Sequence, residues 1–275
     1  MRTLVHLSDL HFDRIDHALI TPLIALVRES CPDLVVVSGD LTQRARTAQF
    51  KEARRFLDAL PTPQIIVPGN HDIPLHNIFS RFMRPLEKYQ RYITDVLDPA
   101  YIDEEIAVFG INTARSLTIK HGRVNDEQIA GVRARLCALD DDITKIIVTH
   151  HPFDLPERYD DKNLVRRAPI AMDMFSSCRA DLLLAGHLHA SHAGNTAARY
   201  DIAGYSALAV QAGTATSTRA RGESNSFNII RIAAPRIVIE RFSWIPNRRR
   251  FAHATTETFE RVSNGWASVK HVSQP

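Results

Sequence analysis

Five apolar runs in this chain each end in metal-ligating or proton-carrying side chains. "LVHL" leads to "SDLH", "LVVVSG" to "D", "IIVPG" to "NHD", "KIIVT" to "HH" and "DLLLAG" to "HLH". Asp9, His11, Asp40, Asn70, His71, His150, His151, His187 and His189 therefore all follow strand-like segments. A single Asp or His at such a place is ordinarily a turn residue or a helix cap. Five such ends in one chain exceed that explanation. The set offers carboxylate and amide oxygens and imidazole nitrogens without a thiolate, which suits Mn, Fe or Zn better than Ca or Mg.

Spacing narrows the set. In an extended segment, residues two apart share a side, so Asp9 with His11, and His187 with His189, can each reach inward together. Adjacent residues diverge, so one member of the pair Asn70 and His71, and one of His150 and His151, is the ligand while the other is offset. This leaves about seven ligands, more than one ion takes, and predicts two ions. Asp40 has two oxygens and no partner ligand alongside, which makes it the natural bridge.

The elements that position these groups are read from periodicity. Strands are predicted at Thr3–Leu7, Leu34–Val37, Ile65–Val67, Ile106–Phe109, Ile143–Val148 and Leu182–Leu184. Helical stripes run between them: Leu19, Leu23, Ile24 and Val27; Phe50, Ala53, Leu57 and Leu60; and Ile129, Val132 and Leu136, the last starting at Asn125 with Gln128 as a capping partner. The alternation predicts an α/β fold with buried, largely parallel strands, whose carboxyl ends form the ligand crevice. After about residue 195 the pattern becomes strands without helices, at Tyr200–Ile202, Ala207–Gln211, Phe227–Ile232 and Ile237–Phe242, an antiparallel addition. Residues from Ser263 onward carry little pattern and read as loosely held. The stretch 73–105, with Phe79, Phe82, Tyr89 and Tyr92, is long enough for a helical lid or cap.

The 275 residues carry no dividing linker and read as one domain, 1–275. A formal charge of +3 gives no strong nucleic-acid signal, and the clusters Arg166–Arg167 and Arg248–Arg250 read as solvated surface. The odd, widely spaced Cys31, Cys137 and Cys178 read as buried, reduced side chains. The N-terminus shows neither a leader nor a membrane segment, so a cytoplasmic protein is expected. His6 is expected on its strand, and His17, His76, His253 and His271 on the surface.

Taken in order, "SDLH", "SGD", "GNHD", "THH" and "GHLH" resemble the motif blocks of the calcineurin-like metallophosphoesterase superfamily, over Asp9 to His189. The "HHP" step and the chain length are similar to its bacterial class III cyclic nucleotide phosphodiesterase branch. The resemblance implies a four-layer α/β/β/α sandwich of two mixed sheets flanked by helices, with the C-terminal antiparallel strands completing the second sheet. It implies one metal on Asp9, His11, Asp40 and His189 and another on Asp40, Asn70, His150 and His187, with Asp40, Asn70 and His71 catalytic and Asn70 and His71 on the substrate.

The implied function is hydrolysis of a small phosphodiester, such as a cyclic nucleotide, by two divalent or trivalent ions, Mn and/or Fe or else Zn, with a bridging hydroxide. His71 would then stabilise phosphoryl charge or give a proton to the leaving alkoxide. Asp72 is expected to orient an imidazole or cap a turn, and Arg219 or Arg221 to meet a phosphate or base or to serve structure only. The same fold could instead serve a nuclease, a nucleotide-sugar lipid hydrolase or a phosphomonoesterase. A nuclease should show a basic stripe and a lipid enzyme an exposed apolar cap. A non-enzymatic scaffold is disfavoured because no ligand is missing. A homo-oligomer remains open.

Overall fold

A strand rich in Val, Ile and Leu on both faces needs a cover on each side. Here one face of every central strand is covered by helices and the other by a second sheet. The computed structural model describes residues 1–75, 77–156, 159–219 and 222–269, so His76, Arg221 and His271 lie outside the described residues. β1 (Arg2–Leu7), β2 (Leu34–Ser38) and β3 (Gln64–Val67) are parallel and are linked through α1 (His17–Glu29) and α2 (Thr47–Asp58). The segment 73–105 holds two short helices, α3 (Ile78–Met83) and α4 (Glu87–Tyr92), and the edge strand β4 (Ala100–Ile102). A second parallel set follows: β5 (Ile106–Gly110), β6 (Thr144–Val148), β7 (Leu182–Ala185) and, after the short β8 (His192–Asn195), β9 (Leu208–Gln211). Helices α5 (Asp126–Leu136) and α6 (Ala168–Ser177) lie between the strands of this set.

The sheets are mixed, and their order is β13-β12-β11-β10-β1-β2-β3 and β4-β5-β6-β7-β9-β8, where the remaining strands are β10 (Ser226–Ala233), β11 (Arg236–Ile245), β12 (Arg250–Val262) and β13 (Gly265–Ser268). Leu4, Val36 and Val67 of the first sheet meet Val108, Val148 and Leu184 of the second in a central apolar layer. Leu19, Leu23, Phe50 and Leu57 of α1 and α2 cover the outer face of the first sheet at Val5, Leu7 and Val35. Val132, Leu136, Met172 and Phe175 cover Phe109, Ile147 and Leu183 of the second. This is the four-layer α/β/β/α arrangement, and each helical stripe read from the sequence faces inward, except that Ile24 and Ile129 are only half-buried.

The tail differs from expectation. It does not complete one sheet: β8 and β9 join the second, while β10 to β13 extend the first beside β1. Tyr200–Ile202 is not a strand; the antiparallel partner of β9 is His192–Asn195, and Tyr200 and Ile202 pack against the α5–α6 face instead. Of the stretch from Ser263, Gly265–Ser268 is held after all, pairing with β12 and burying Trp266, while residues 270–275 lie outside the described residues. Trp266 Nε1 and Arg261 Nη2 donate to Asp181 Oδ1 at 3.1 and 2.7 Å, joining the edge of the first sheet to the start of β7 in the second.

The cysteine expectation is also corrected. Cys31 is exposed, and Cys137 and Cys178, at the C-terminal ends of α5 and α6, form a disulfide with a Cα–Cα separation of 4.5 Å. Sequence counting missed it because the partners lie 41 residues apart and an odd thiol remains. Among the described residues no helix is long and apolar enough to cross a membrane.

Two outcomes follow. Asn125 Oδ1 accepts from Gln128 N at 2.8 Å and Gln128 Oε1 accepts from Asn125 N at 3.2 Å, so Asn125→Ala should cost about 1 kcal/mol, read as a thermal midpoint lowered by roughly 2–4 °C. Thiol titration of unfolded, non-reduced protein should find only Cys31, and all three cysteines after reduction. Three thiols before reduction would show the pair to be open, as a reducing cytoplasm would keep it.

Candidate metal centre

The five motifs do converge, at the carboxyl ends of β1, β2 and β3 of one sheet and β6 and β7 of the other. The crevice thus lies on the seam between two sheets rather than over one. Ligand-capable atoms of Asp9, His11 and His189 lie within 4.8 Å of one another, as do those of Asp9, Asp40 and His150. Asn70 belongs beside the second group: its Oδ1 is 3.2 Å from His150 Nε2. His187 groups with His150 and His151, again within 4.8 Å.

The pairs two residues apart converge for a reason other than the extended geometry expected of them. Asp9, His11, His187 and His189 have φ of 52°, 50°, 74° and 57°, and Asp40 has 52°, all in the left-handed region. The strands have ended, and the chain twists each ligand into the seam. The region is disfavoured for residues with a Cβ, so neighbours must hold it. Asp9 Oδ2 accepts from Ser8 Oγ at 2.8 Å and from His187 N, across the seam, at 2.9 Å. Asp40 Oδ1 accepts from His71 N at 2.8 Å.

In both cases one carboxylate oxygen is fixed and the other faces imidazoles. Asp9 Oδ1 lies 3.5 Å from His11 Nε2 and 3.3 Å from His189 Nε2; Asp40 Oδ2 lies 3.7 Å from His11 Nε2 and 3.3 Å from His150 Nε2. The imidazoles and the amide are similarly aimed. His150 Nδ1 is 2.8 Å from Ser38 O and therefore donates, turning Nε2 inward. Asn70 Nδ2 donates to Ile119 O at 3.1 Å, turning Oδ1 inward. Such outer hydrogen bonds are what orient metal ligands.

Adjacent residues are less separated than expected. Asn70, His71 and Asp72 form a short 3-10 turn rather than an extended segment, and His71 keeps a ring nitrogen within 4.8 Å of the His11 and Asp40 ligand atoms. His151 also faces His187, with ring centroids 4.6 Å apart, while Thr113 Oγ1 is 2.8 Å from its Nδ1. Asp72 caps and does not orient an imidazole: it accepts from Gly69 N, Thr42 N and Leu41 N at 2.9, 2.9 and 3.2 Å, fastening the "GD" loop to the "GN" turn.

Electrostatics follow from burial. Burial raises the Asp40 carboxyl, but His150 and His71 hold it well below the usual carboxylate range. Burial opposes charge on His150, yet Asp40 pushes it up to about 9. His187 is lowered to about 3 by burial and by His150. Asp72 rises to about 6 through burial and the nearby Asp40 charge.

The donor set fits metal ions. Asp9 and Asp40 are buried, at 0% and 1% exposure, and Asp9 Oδ1, His11 Nδ1 and His151 Nε2 are buried without a hydrogen-bond partner. Two buried carboxylates facing inward imidazole nitrogens need cations to offset their desolvation.

Several contributors were missed in the sequence. A Cβ on Gly69 would strike Asp40 Oδ1, one on Gly186 would strike Ser8 Oγ, and one on Gly39 would lie 2.7 Å from His150 Nδ1. Each glycine before a ligand is thus a close approach to another strand's motif, a repeated "G" that did carry the signal. The segment "GTATSTR" is a clamp: Thr214 and Thr216 hydroxyls donate to Asp9 O and Leu10 O, each at 2.7 Å, and that of Thr218 to Arg14 O at 3.1 Å. It ends in Arg219, whose Nη1 is 3.2 Å from His71 Nε2. The period-two threonines were a legible mark of an extended clamp.

His6 is buried on β1 beside Ser38, and His17 and His253 are exposed, as expected. Arg44 and Arg46 are exposed, as are Arg248–Arg250. On the segments 75–83 and 117–119, the second of which reaches Asn70 through Ile119 O, Leu75, Phe79, Phe82, Met83, Leu117 and Ile119 are exposed large apolar side chains, Phe79 at 73% and Leu117 at 84%. Arg81 ties their two segments together, donating to Pro74 O and Thr118 O at 3.2 and 2.7 Å. Tyr89 is instead buried, its hydroxyl donating to Ile66 O.

Residues 2–191 match the model of the calcineurin-like phosphoesterase family. The chain is 30% identical to the glycerophosphodiester phosphodiesterase GpdQ of Enterobacter lignolyticus, over 55% of this chain and 58% of that protein. It is 23% identical to the 3',5'-cyclic adenosine monophosphate phosphodiesterase CpdA of Escherichia coli K12, over 57% and 54%. The match thus spans little more than half the length of these relatives. In fold it is similar to a dimetal phosphatase from Danio rerio (TM-score 0.66, 16% identity, 92% of this chain and 98% of that one) and to the purple acid phosphatase PPD1 of yellow lupin (0.69, 11%, 93% and 53%).

Elemental analysis of purified protein should find about two metal ions per chain. Asp40→Ala should empty or scramble the site, whereas His71→Ala should keep both ions. Gly69→Ala should mimic Asp40→Ala, because its methyl displaces the Asp40 carboxylate. One ion at saturation in the parent protein overturns the two-ion reading.

Proposed function

Since the chain belongs to the calcineurin-like phosphoesterase family, we propose that it is a metal-dependent phosphodiesterase acting on a small nucleotide-type or glycerol-type diester. Asp9, His11, Asp40 and His189 would hold one ion and Asp40, Asn70, His150 and His187 the other. The ions, Mn or Fe or else Zn, supply Lewis-acid polarisation of the phosphoryl group and lower the pKa of water. The observation that supports this best is Asp40, which sits between His11 of one set and His150 of the other with its second oxygen fixed by His71 N.

The chain's own groups do the rest. Asn70, anchored by Ile119, keeps its oxygen on the His150 side; His71 lies where phosphoryl charge develops; Asp72 holds the two turns in register. No Ser, Cys or Asp nucleophile is required, so no covalent intermediate is expected. His71→Ala should lower turnover by about 10²- to 10⁴-fold.

A second reading, a diester or monoester with an acyl or other apolar substituent, is favoured by the exposed apolar group of Leu75, Phe79, Phe82, Met83, Leu117 and Ile119, the feature that distinguishes a lipid-directed enzyme. On that reading 73–105 is a substrate-covering cap. A cytoplasmic setting and a small soluble substrate belong to the first.

After chelation and Mn add-back, hydrolysis of bis(p-nitrophenyl) phosphate, p-nitrophenyl phosphate and 2′,3′- and 3′,5′-cyclic nucleotides should favour diesters over monoesters. A monoester turned over faster than every diester would sink the diester reading, and an acylated diester preferred over all of these would establish the second.

A further inference from the structure

His71 has both ring nitrogens engaged. Nδ1 lies 2.8 Å from Gln43 O, and a carbonyl only accepts, so Nδ1 carries a hydrogen. Nε2 lies 3.2 Å from Arg219 Nη1, and a guanidinium only donates, so Nε2 is the acceptor. In this arrangement His71 has no N–H aimed into the crevice, and the positive charge at that corner belongs to Arg219. His71 itself has a ring nitrogen within 4.8 Å of ligand atoms of His11 and Asp40, so the guanidinium stands one side chain away from the metal centre.

The placement of Arg219 is built. Ser217 pairs with Ile15 as an isolated bridge, and Thr218 N donates to Arg14 O at 2.7 Å. Arg219 N donates to Ser217 Oγ at 3.1 Å, closing the turn that lifts the side chain off the clamp. The clamp also grips the carbonyls of Asp9 and Leu10, so the segment that fixes the first ligand loop is the one that carries Arg219.

We propose that Arg219 is a substrate-binding residue, holding a non-bridging phosphoryl oxygen, and that His71 is a positioning residue that aims the guanidinium through its Nε2 lone pair. A guanidinium carries five donors in a planar fork, enough to hold an imidazole and a phosphoryl oxygen together, which a lysine ammonium does not match. This rests on the phosphodiesterase reading above and moves the charge-stabilising role from the imidazole to the arginine.

The test uses Mn-loaded full-length protein and bis(p-nitrophenyl) phosphate, whose leaving group needs no proton. Arg219→Ala should keep both metals and lose about 10²-fold in kcat/KM, and Arg219→Lys should recover only part of it. Added guanidinium should restore activity to Arg219→Ala, which a structural arginine would not show. Arg219→Ala with His71→Ala should be little worse than the more damaging of the two single substitutions, since the two act as a unit. Binding of inorganic phosphate, followed by calorimetry, should weaken at least about tenfold in Arg219→Ala.

The assignment is overturned if Arg219→Ala retains activity within about twofold, if guanidinium restores nothing, or if Arg219→Ala and Arg219→Gln both lose metal. Should the parent protein hydrolyse no diester yet bind phosphate through Arg219, the phosphodiesterase reading fails and this one stands. Equal phosphate binding by parent and Arg219→Ala, with diester hydrolysis intact, fails this one alone.

Discussion

Two buried carboxylates, Asp9 and Asp40, sit on the seam where the strand ends of two sheets meet, and the architecture around them answers the cost of burying them. An ionised carboxylate out of water is tolerable only when its oxygens have donors or cations. Asp9 receives a backbone N–H from the opposite sheet and Asp40 one from the next loop of its own sheet, leaving the other oxygen of each directed at imidazoles. The seam is therefore held by the same bonds that shape the site, so local stability and ligand geometry cannot be changed independently there.

The second demand is conformational. Five of the candidate ligands adopt left-handed backbone angles, each costing about 1 kcal/mol or more for a residue with a side chain, somewhat less for Asp. The compensation is distributed. Glycines at 39, 69 and 186 let motif loops from different strands touch; Asp72 fastens two of those loops; Thr214 and Thr216 bond the carbonyls of Asp9 and Leu10. The C-terminal strands matter for this reason: β10 beside β1 brings the clamp segment alongside the first motif.

At the rim the charge and polarity of the crevice change character. Arg219 supplies one fixed cation on the His71 side, while Ile119, which anchors Asn70 through its carbonyl, belongs to an exposed apolar group. A ligand reaching the centre would meet a cation on one side and an apolar surface on the other.

Much of this was written in the chain order. The positions of the parallel strands β1–β3, β5–β7 and β9 were legible to within a residue or so because fully buried parallel strands are short continuous apolar runs, and the motif residues were legible because they follow those runs directly; β4, β8, β12 and β13 were not read. The sequence by itself also determined the Asn125 cap and the inward stripes of α1, α2 and α5, since these depend on neighbours three and four residues away. What the tertiary structure alone decided involves partners far apart in the chain. Cys137 meets Cys178 because two helix ends abut; β10 to β13 join the first sheet because β1 offers a free edge; Arg219 reaches His71 across 148 positions. The pairs Asp9 with His11 and His187 with His189 converge through left-handed turns rather than strand alternation, because the strands end just before them and backbone angles beyond a strand end are set by what the loop packs against.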